Sequence, residues 1–342
     1  MHPELFKLPF VYLTVKSYGL MMVIGFLCAI SLIRRLSRNI TPDPQMITNA
    51  ALYSLIAGVV GARIFYVIHY FDKFKGDLLS VFAIWKGGLE VLGGLFLAVS
   101  IILAYLYYHK LPIRRYLDIL GIALVLALAF GRIGCFCNGC CYGKPSNVPW
   151  AVRFPYASIP YLSQIYPNVG RDRFEPQLKL PNDFSIYHNS QSGIPPQDLK
   201  PFDSLTAQQK EQVTKGPYRC LPVHPSQLYS SALAFLGSFL LYLFWRRAQN
   251  AEVAGKKKFL IRSGSTFALM FILYGIARFF LEFLRNDNPF ETAWWILYKG
   301  GTVSQTLGIY MVIFGIILMA VFAKMKPDAI VPLKSKPAKA AT

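Results

Sequence analysis

The chain has 342 residues, 54% of them hydrophobic and only 15% charged, with a mean hydropathy of +0.39. Such a composition excludes an ordinary soluble domain and a disordered chain, because several apolar runs approach the roughly 20 residues that cross a bilayer. The formal charge of +19 would suit a nucleic-acid binder, but the positions of the charges exclude that reading.

Apolar runs near 18–33, 47–70, 89–108, 116–133, 225–245, 264–283 and 302–323 predict seven helices. Basic residues follow every second run. Arg34, Arg35 and Arg38 follow the first, and Lys110, Arg114 and Arg115 the third. Arg246, Arg247, Lys256, Lys257, Lys258 and Arg262 follow the fifth, and Lys324, Lys326, Lys334, Lys336 and Lys339 the last. The positive-inside rule puts these connections in the cytoplasm, and the N-terminus and the long 134–223 connection outside. The expected fold is all-α: a polytopic membrane bundle of seven transmembrane helices, N-terminus outside, C-terminus in the cytoplasm, with a long irregular extracytoplasmic insertion. The expected divisions are 1–145 with helices one to four, a head at 146–223, 224–328 with helices five to seven, and a basic tail at 329–342. The basic excess is a topology signal, with attraction to anionic membrane lipids as its second consequence, and no nucleic-acid partner is expected. The start "MHPELFKLPF" lacks a basic leader segment, so the first span is expected to be retained.

Within the spans, charges stand out. A charged side chain at membrane depth costs about 2.5–3.5 kcal/mol on insertion scales, so each is a candidate site residue. Arg63 lies inside the second run and Arg132 ends the fourth. In "ARFFLEFLR", Arg278, Glu282 and Arg285 recur at spacings of four and three, which share one helix face. Arginines near membrane depth outnumber the one glutamate and leave positive charge that an anionic ligand would balance. The guanidinium fork suits a pair of phosphate oxygens. Arg63 and Arg285 read equally well as side chains reaching for lipid headgroups, and Tyr18 as part of an interfacial aromatic belt. His224 reads as a helix-start hydrogen-bonding residue, and Ser304 and Gln305 as caps of the last helix. Gly93 and Gly94 suit helix packing, whereas Gly87 and Gly88 suit a break or re-entrant turn.

The stretch "GRIGCFCNGCCYGKP" (131–145) carries four of the six cysteines. Their C-x-C-x-x-C-C spacing is not that of a zinc ribbon, and no metal site or cofactor is expected. On a continuous helix Cys137 and Cys141 would share a face, away from Cys135 and Cys140. Cys28, Cys135 and Cys137 read as packing residues. A disulfide from Cys220 to Cys140 or Cys141 is expected to tie the ends of the insertion together.

That stretch resembles the signature of the bacterial prolipoprotein diacylglyceryl transferase family, whose usual form reads approximately GRIGNFINGE-x-x-G-R-P. "SYGLMMVIGF", "GVVGARIFYVIHY", "HPSQLY" at 224–229, "ARFFLEFLR" at 277–285 and, more loosely, "GGTVSQ" at 300–305 resemble the family's other motifs in order. The resemblance implies an inner-membrane transferase without a cofactor. It would move the diacylglyceryl group of phosphatidylglycerol to the lipobox cysteine thiol of preprolipoprotein signal peptides, forming a thioether and releasing glycerol 1-phosphate. It further implies that Arg132 and Arg278 meet the lipid phosphate and that Glu282 orients Arg278 or handles protons. Asn138 and Tyr18 would hold the headgroup with Arg285, and Gly143 would be the signature's closing glycine. The family's His or Tyr in the third-helix motif is Leu92 here, so His224 becomes the candidate base. The signature's Asn and acidic residue are Cys135 and Cys140, and the 146–223 connection is longer than the family's. These departures keep two alternatives open: a non-catalytic lipid- or anion-binding relative or transporter, and a thiol redox or metal-handling membrane protein.

Overall fold

The structure, a computed structural model, describes residues 4–7, 14–38, 40, 43–84, 87–186, 199–253 and 261–325. The lysine-rich tail, Lys256 to Lys258 and most of "IPPQDLK" lie outside the described residues. A short antiparallel ribbon, β1 (Glu4–Lys7) with β2 (Thr14–Lys16), precedes the helices and was not expected from the sequence. The helices are α1 (Ser17–Ser37), α2 (Gln45–His69), α3 (Val91–Tyr108), α4 (Ile113–Asn138), α5 (Ile159–Ile165), α6 (Ala207–Thr214), α7 (Ser226–Val253), α8 (Ser265–Glu282) and α9 (Val303–Lys324). All but the short α5 and α6 are long and apolar enough to cross a membrane, and this is a multi-pass membrane protein. Their surfaces carry large exposed apolar side chains such as Leu27, Ile68, Leu95 and Ile317, which suit a hydrocarbon solvent. Helix α4 outruns its predicted end: "RIGCFCN" stays helical through Gly134 and closes only at Gly139, whose φ is positive. Helix α7 runs on because "RRAQ" contains good helix formers.

The chain divides into two compact units. One takes 28–123, 244–267 and 321–342. Here α2 and α3 pack through small residues: a Cβ on Gly61 would lie 2.6 Å from the Gly93 carbonyl, and one on Gly94 2.8 Å from that of Gly58. Gly87 and Gly88 have φ of 85° and 76°, so the chain breaks where the sequence suggested. Buried Asp118 accepts from the amides of Gly264 (2.7 Å) and Phe267 (2.8 Å), which fixes the start of α8. Leu92, at the position of the resembled family's His or Tyr, is 71% exposed.

The other unit takes 1–27, 124–243 and 268–320 and includes the insertion. The insertion is mostly turns and short helices, yet it has its own apolar core of Tyr142, Phe154, Tyr161, Ile165, Phe184 and neighbours. Tyr161 is fully buried because its hydroxyl has a partner, the Tyr218 carbonyl at 2.9 Å. Burial raises the pKa of that hydroxyl and pushes that of Tyr156 up to about 12. Cys220 is only 2% exposed in this core, and its thiol donates to the Leu221 carbonyl at 3.4 Å. All six cysteines are free, so the expected disulfide from Cys220 to Cys140 or Cys141 is not formed. The physical reason is that Cys220 packs inward while the other two turn toward Cys135.

Candidate functional site

The site is built where α4 and α8 end. At the end of α4, Gly139 adopts φ of 77° and donates to the Phe136 carbonyl (3.2 Å), while Cys140 donates back to that of Cys135 (3.2 Å). This paired closure reverses the chain after Asn138, which is left exposed as the last helical residue. The reversal overturns the expected pairing of Cys137 with Cys141. The sulfurs of Cys135, Cys140 and Cys141 gather instead, all within 4.8 Å of one another.

One turn back on α4, the Arg132 Nε is buried and has no hydrogen-bond partner among the described residues. Its charge interacts with Tyr274, Cys141, Cys135 and Arg285, and Arg278 in turn feels Arg132. Tyr18, from the first turn of α1, lies against Gly134, where a Cβ would come within 3.0 Å of its ring, and it also senses the Arg132 charge. Arg132, Arg278 and Tyr18 therefore share one neighbourhood, as the sequence suggested.

Helix α8 ends at Glu282, so Arg285 is not on a continuing helical face as its spacing implied. Tight turns follow, with Phe283, Leu284 and Arg285 each donating to the carbonyl three residues back. The turns still bring Arg285 home. Glu282 is 1% exposed and faces Arg278 at 3.1 Å, Arg285 at 3.7 Å and Arg171 at 3.5 Å, and it accepts from Asn288 Nδ2 at 2.7 Å. Arg278 also donates to the Ser304 hydroxyl at 2.6 Å. The fork of Arg285 is filled by Asp287, at 2.9 and 2.6 Å. Hydrogen bonds and charge from Asp287, then Cys141 and Glu282, outweigh desolvation and raise the Arg285 pKa.

Sequence reasoning missed Arg171, Asn288 and Asp287. Arg171 reaches in from the insertion, its guanidinium 4.8 Å from the Phe290 ring centroid and its Nε without a hydrogen-bond partner. Burial lowers its pKa, with Glu282 opposing. Its only sequence signal was one more charge in a balanced loop, whereas "RNDN" beside a span end was a denser polar run. Ser304 and Gln305 were expected to cap α9. Gln305 does so together with Thr302: the Thr302 amide donates to Gln305 Oε1 at 3.0 Å and the Gln305 amide to Thr302 Oγ1 at 3.4 Å, which leaves Ser304 to Arg278.

"HPSQLY" clamps the signature from the other side. Ser226 Oγ donates to the Cys141 carbonyl and Gln227 Nε2 to the Cys140 carbonyl, both at 2.8 Å. His224 holds Gly143 through its backbone: Gly143 donates to the His224 carbonyl at 3.1 Å, and Lys144 donates to that of Leu284 at 2.8 Å. A Cβ on Gly143 would meet the His224 carbonyl at 2.5 Å and the Leu284 carbonyl at 2.9 Å, so the close approach that demands glycine is by the protein's own backbone. The His224 imidazole Nδ1 faces the Tyr229 hydroxyl at 3.2 Å, and that hydroxyl also accepts from the Trp150 indole at 2.5 Å.

Helices α4, α7 and α8 line an open apolar groove of about 320 Å³ that Arg278 of the cluster also borders. Leu128, Leu233, Leu240, Leu273 and Leu281 help to wall it, and Tyr274 and Arg278 add polar groups to its lining. An apolar trough meeting a cationic cluster has the shape of a site for an anionic amphiphile.

A family model described as prolipoprotein diacylglyceryl transferase matches residues 3–321. The chain belongs to this family. Proteins named phosphatidylglycerol--prolipoprotein diacylglyceryl transferase are among its relatives. That of Clostridium tetani is 27% identical over 324 residues, covering 92% of this chain and 96% of its own. That of Buchnera aphidicola is 29% identical, covering 90% and 91%. That of Methylococcus capsulatus is 28% identical, again covering 90% and 91%. The alignment with the Clostridium tetani protein thus spans nearly the whole of both chains.

Proposed function

We propose that this chain transfers the diacylglyceryl group of phosphatidylglycerol to the lipobox cysteine thiol of preprolipoprotein signal peptides. The thiolate sulfur bonds to the glyceryl carbon, the carbon–oxygen bond to phosphate breaks, and its electron pair leaves on glycerol 1-phosphate. We place this chemistry at the outer side of the bacterial inner membrane, with the N-terminus outside and the C-terminus in the cytoplasm, as the basic loops suggest.

One observation carries the proposal. Among the described residues, four guanidiniums, those of Arg132, Arg171, Arg278 and Arg285, gather with only Glu282 and Asp287 against them, and one of the four, Arg278, also lines an apolar groove. The cluster stays net positive, and the Arg132 Nε has no hydrogen-bond partner among the described residues. A lipid phosphodiester meets both needs, and donors already aimed at a departing phosphate lower the barrier most in a site of low dielectric. Arg132 and Arg278 are assigned to that phosphate. Glu282, ion-paired with Arg278, Arg285 and Arg171, orients Arg278. Arg285, held by Asp287, shapes the turn and adds field. Tyr18 and Asn138 border the headgroup, Gly143 lets the strands close, and His224 is the candidate acceptor of the thiol proton.

The test is an assay of the purified protein with phosphatidylglycerol labelled in its acyl chains and a lipobox peptide. Label is expected on the peptide through a thioether, and Arg132→Ala and Arg278→Ala are expected to abolish its transfer while still inserting in membranes. Wild-type rates in either variant would remove that arginine's role. The exposed Leu92 also suits a relative that binds lipid without catalysis; lipid retention by the wild type with no peptide labelling would favour it.

A further inference from the structure

The reversal at Gly139 makes a group that the lipid chemistry does not use. Cys135, Cys140 and Cys141 present three sulfurs within 4.8 Å of one another, from the last turn of α4 and the two residues after Gly139. Three thiolates each about 2.3 Å from one ion stand about 4 Å apart, so a small closure would complete a three-sulfur site. The turn is braced from outside: Ser226 and Gln227 hold the carbonyls of Cys141 and Cys140, and the Cys140 amide is tied to the Cys135 carbonyl. That bracing fixes the backbone while leaving the thiols to rotate. The Cys140 thiol now donates to the Cys135 carbonyl at a long 3.8 Å, a weak contact that a metal bond would replace.

Charge supports the same end. Three thiolates around a divalent ion leave one net negative charge, and the guanidiniums of Arg132 and Arg285 are electrostatic neighbours of Cys141. Cys28, Cys137 and Cys220 are not in the group.

We propose that Cys135, Cys140 and Cys141 form a binding site for a thiophilic d10 cation of the zinc class, beside the arginine cluster. Binding releases the thiol protons to solvent and requires no oxidant. The site is independent of the lipid-transfer reading, and its test does not involve lipid.

Reduced, full-length protein in detergent would be titrated anaerobically with Co(II), following sulfur-to-cobalt charge-transfer absorption in the near ultraviolet, then with Zn(II). The expected result is saturation near one equivalent and displacement by Zn(II). Cys135→Ser, Cys140→Ser and Cys141→Ser should each weaken binding by on the order of ten-fold or more. Cys28→Ser, Cys137→Ser and Cys220→Ser should bind as wild type. No charge-transfer band from the wild-type protein would overturn the proposal whatever the variants do. So would a band that survives removal of all three thiols, or one lost equally in the three controls.

Discussion

Two arginines set in apolar segments, Arg63 and Arg132, look alike in the sequence and differ in what surrounds them. Arg63 is 7% exposed, and all three nitrogens of its guanidinium donate to backbone: Val81 and Ser80 carbonyls at 2.7 Å each, and those of Gly87 and Gly88 at 2.7 and 3.0 Å. It also faces the Phe74 and Tyr66 rings, at 5.3 and 5.7 Å. Arg63 is the clamp that holds the broken segment between α2 and α3, not a headgroup anchor. Arg132 keeps an unmet buried Nε and lies among other cations. A buried arginine therefore signals a ligand only when its donors are not already spent on carbonyls.

The comparison can be broken in order of expected effect. Arg132→Ala should cut lipid transfer by about 10²–10³-fold or more with little loss of thermal stability in detergent, because it removes stabilisation of the leaving phosphate. Unfolding with loss of the site would instead make Arg132 a second clamp. Glu282→Ala should destabilise the protein by about 3–5 kcal/mol, since Arg278, Arg171 and Arg285 would lose their shared buried partner. A melting curve unchanged from wild type would show that the cluster tolerates its own repulsion.

Arg63→Ala should reverse the Arg132 pattern. It leaves four carbonyls without their donor and should cost about 3 kcal/mol, while the folded fraction transfers lipid at the wild-type rate. Lost turnover at full stability would end the contrast. The smallest effect is that of Gly143→Ala, about 1–3 kcal/mol with a partial fall in rate, because the new methyl must push apart the His224 and Leu284 carbonyls. Full activity and stability there would mean the two segments can part at no cost.

Much of the architecture was legible in the chain. Apolar run length located all seven long helices, and the Gly87–Gly88 pair marked a true break. Arg278 and Glu282 were readable as partners because a spacing of four is local geometry. Arg285 was harder, since the helix stops three residues before it and a different turn delivers it. Arg171 was out of reach: its partner Glu282 is far along the chain, and nothing local marks one loop arginine from the next. The cysteines failed for a related reason. Face assignments assumed that α4 continued, and one glycine with positive φ exchanged Cys137 for Cys135 in the group.

By itself, the sequence determined that this chain crosses a membrane several times and that cations stand in its apolar segments. Both follow from short-range rules of hydropathy and helical spacing. Only the tertiary structure decided which cation is satisfied and which is left wanting, which loop lends its arginine, and which sulfurs meet. Those outcomes depend on where separate segments end and turn, and hydrogen bonds between distant residues have no period that a sequence can display.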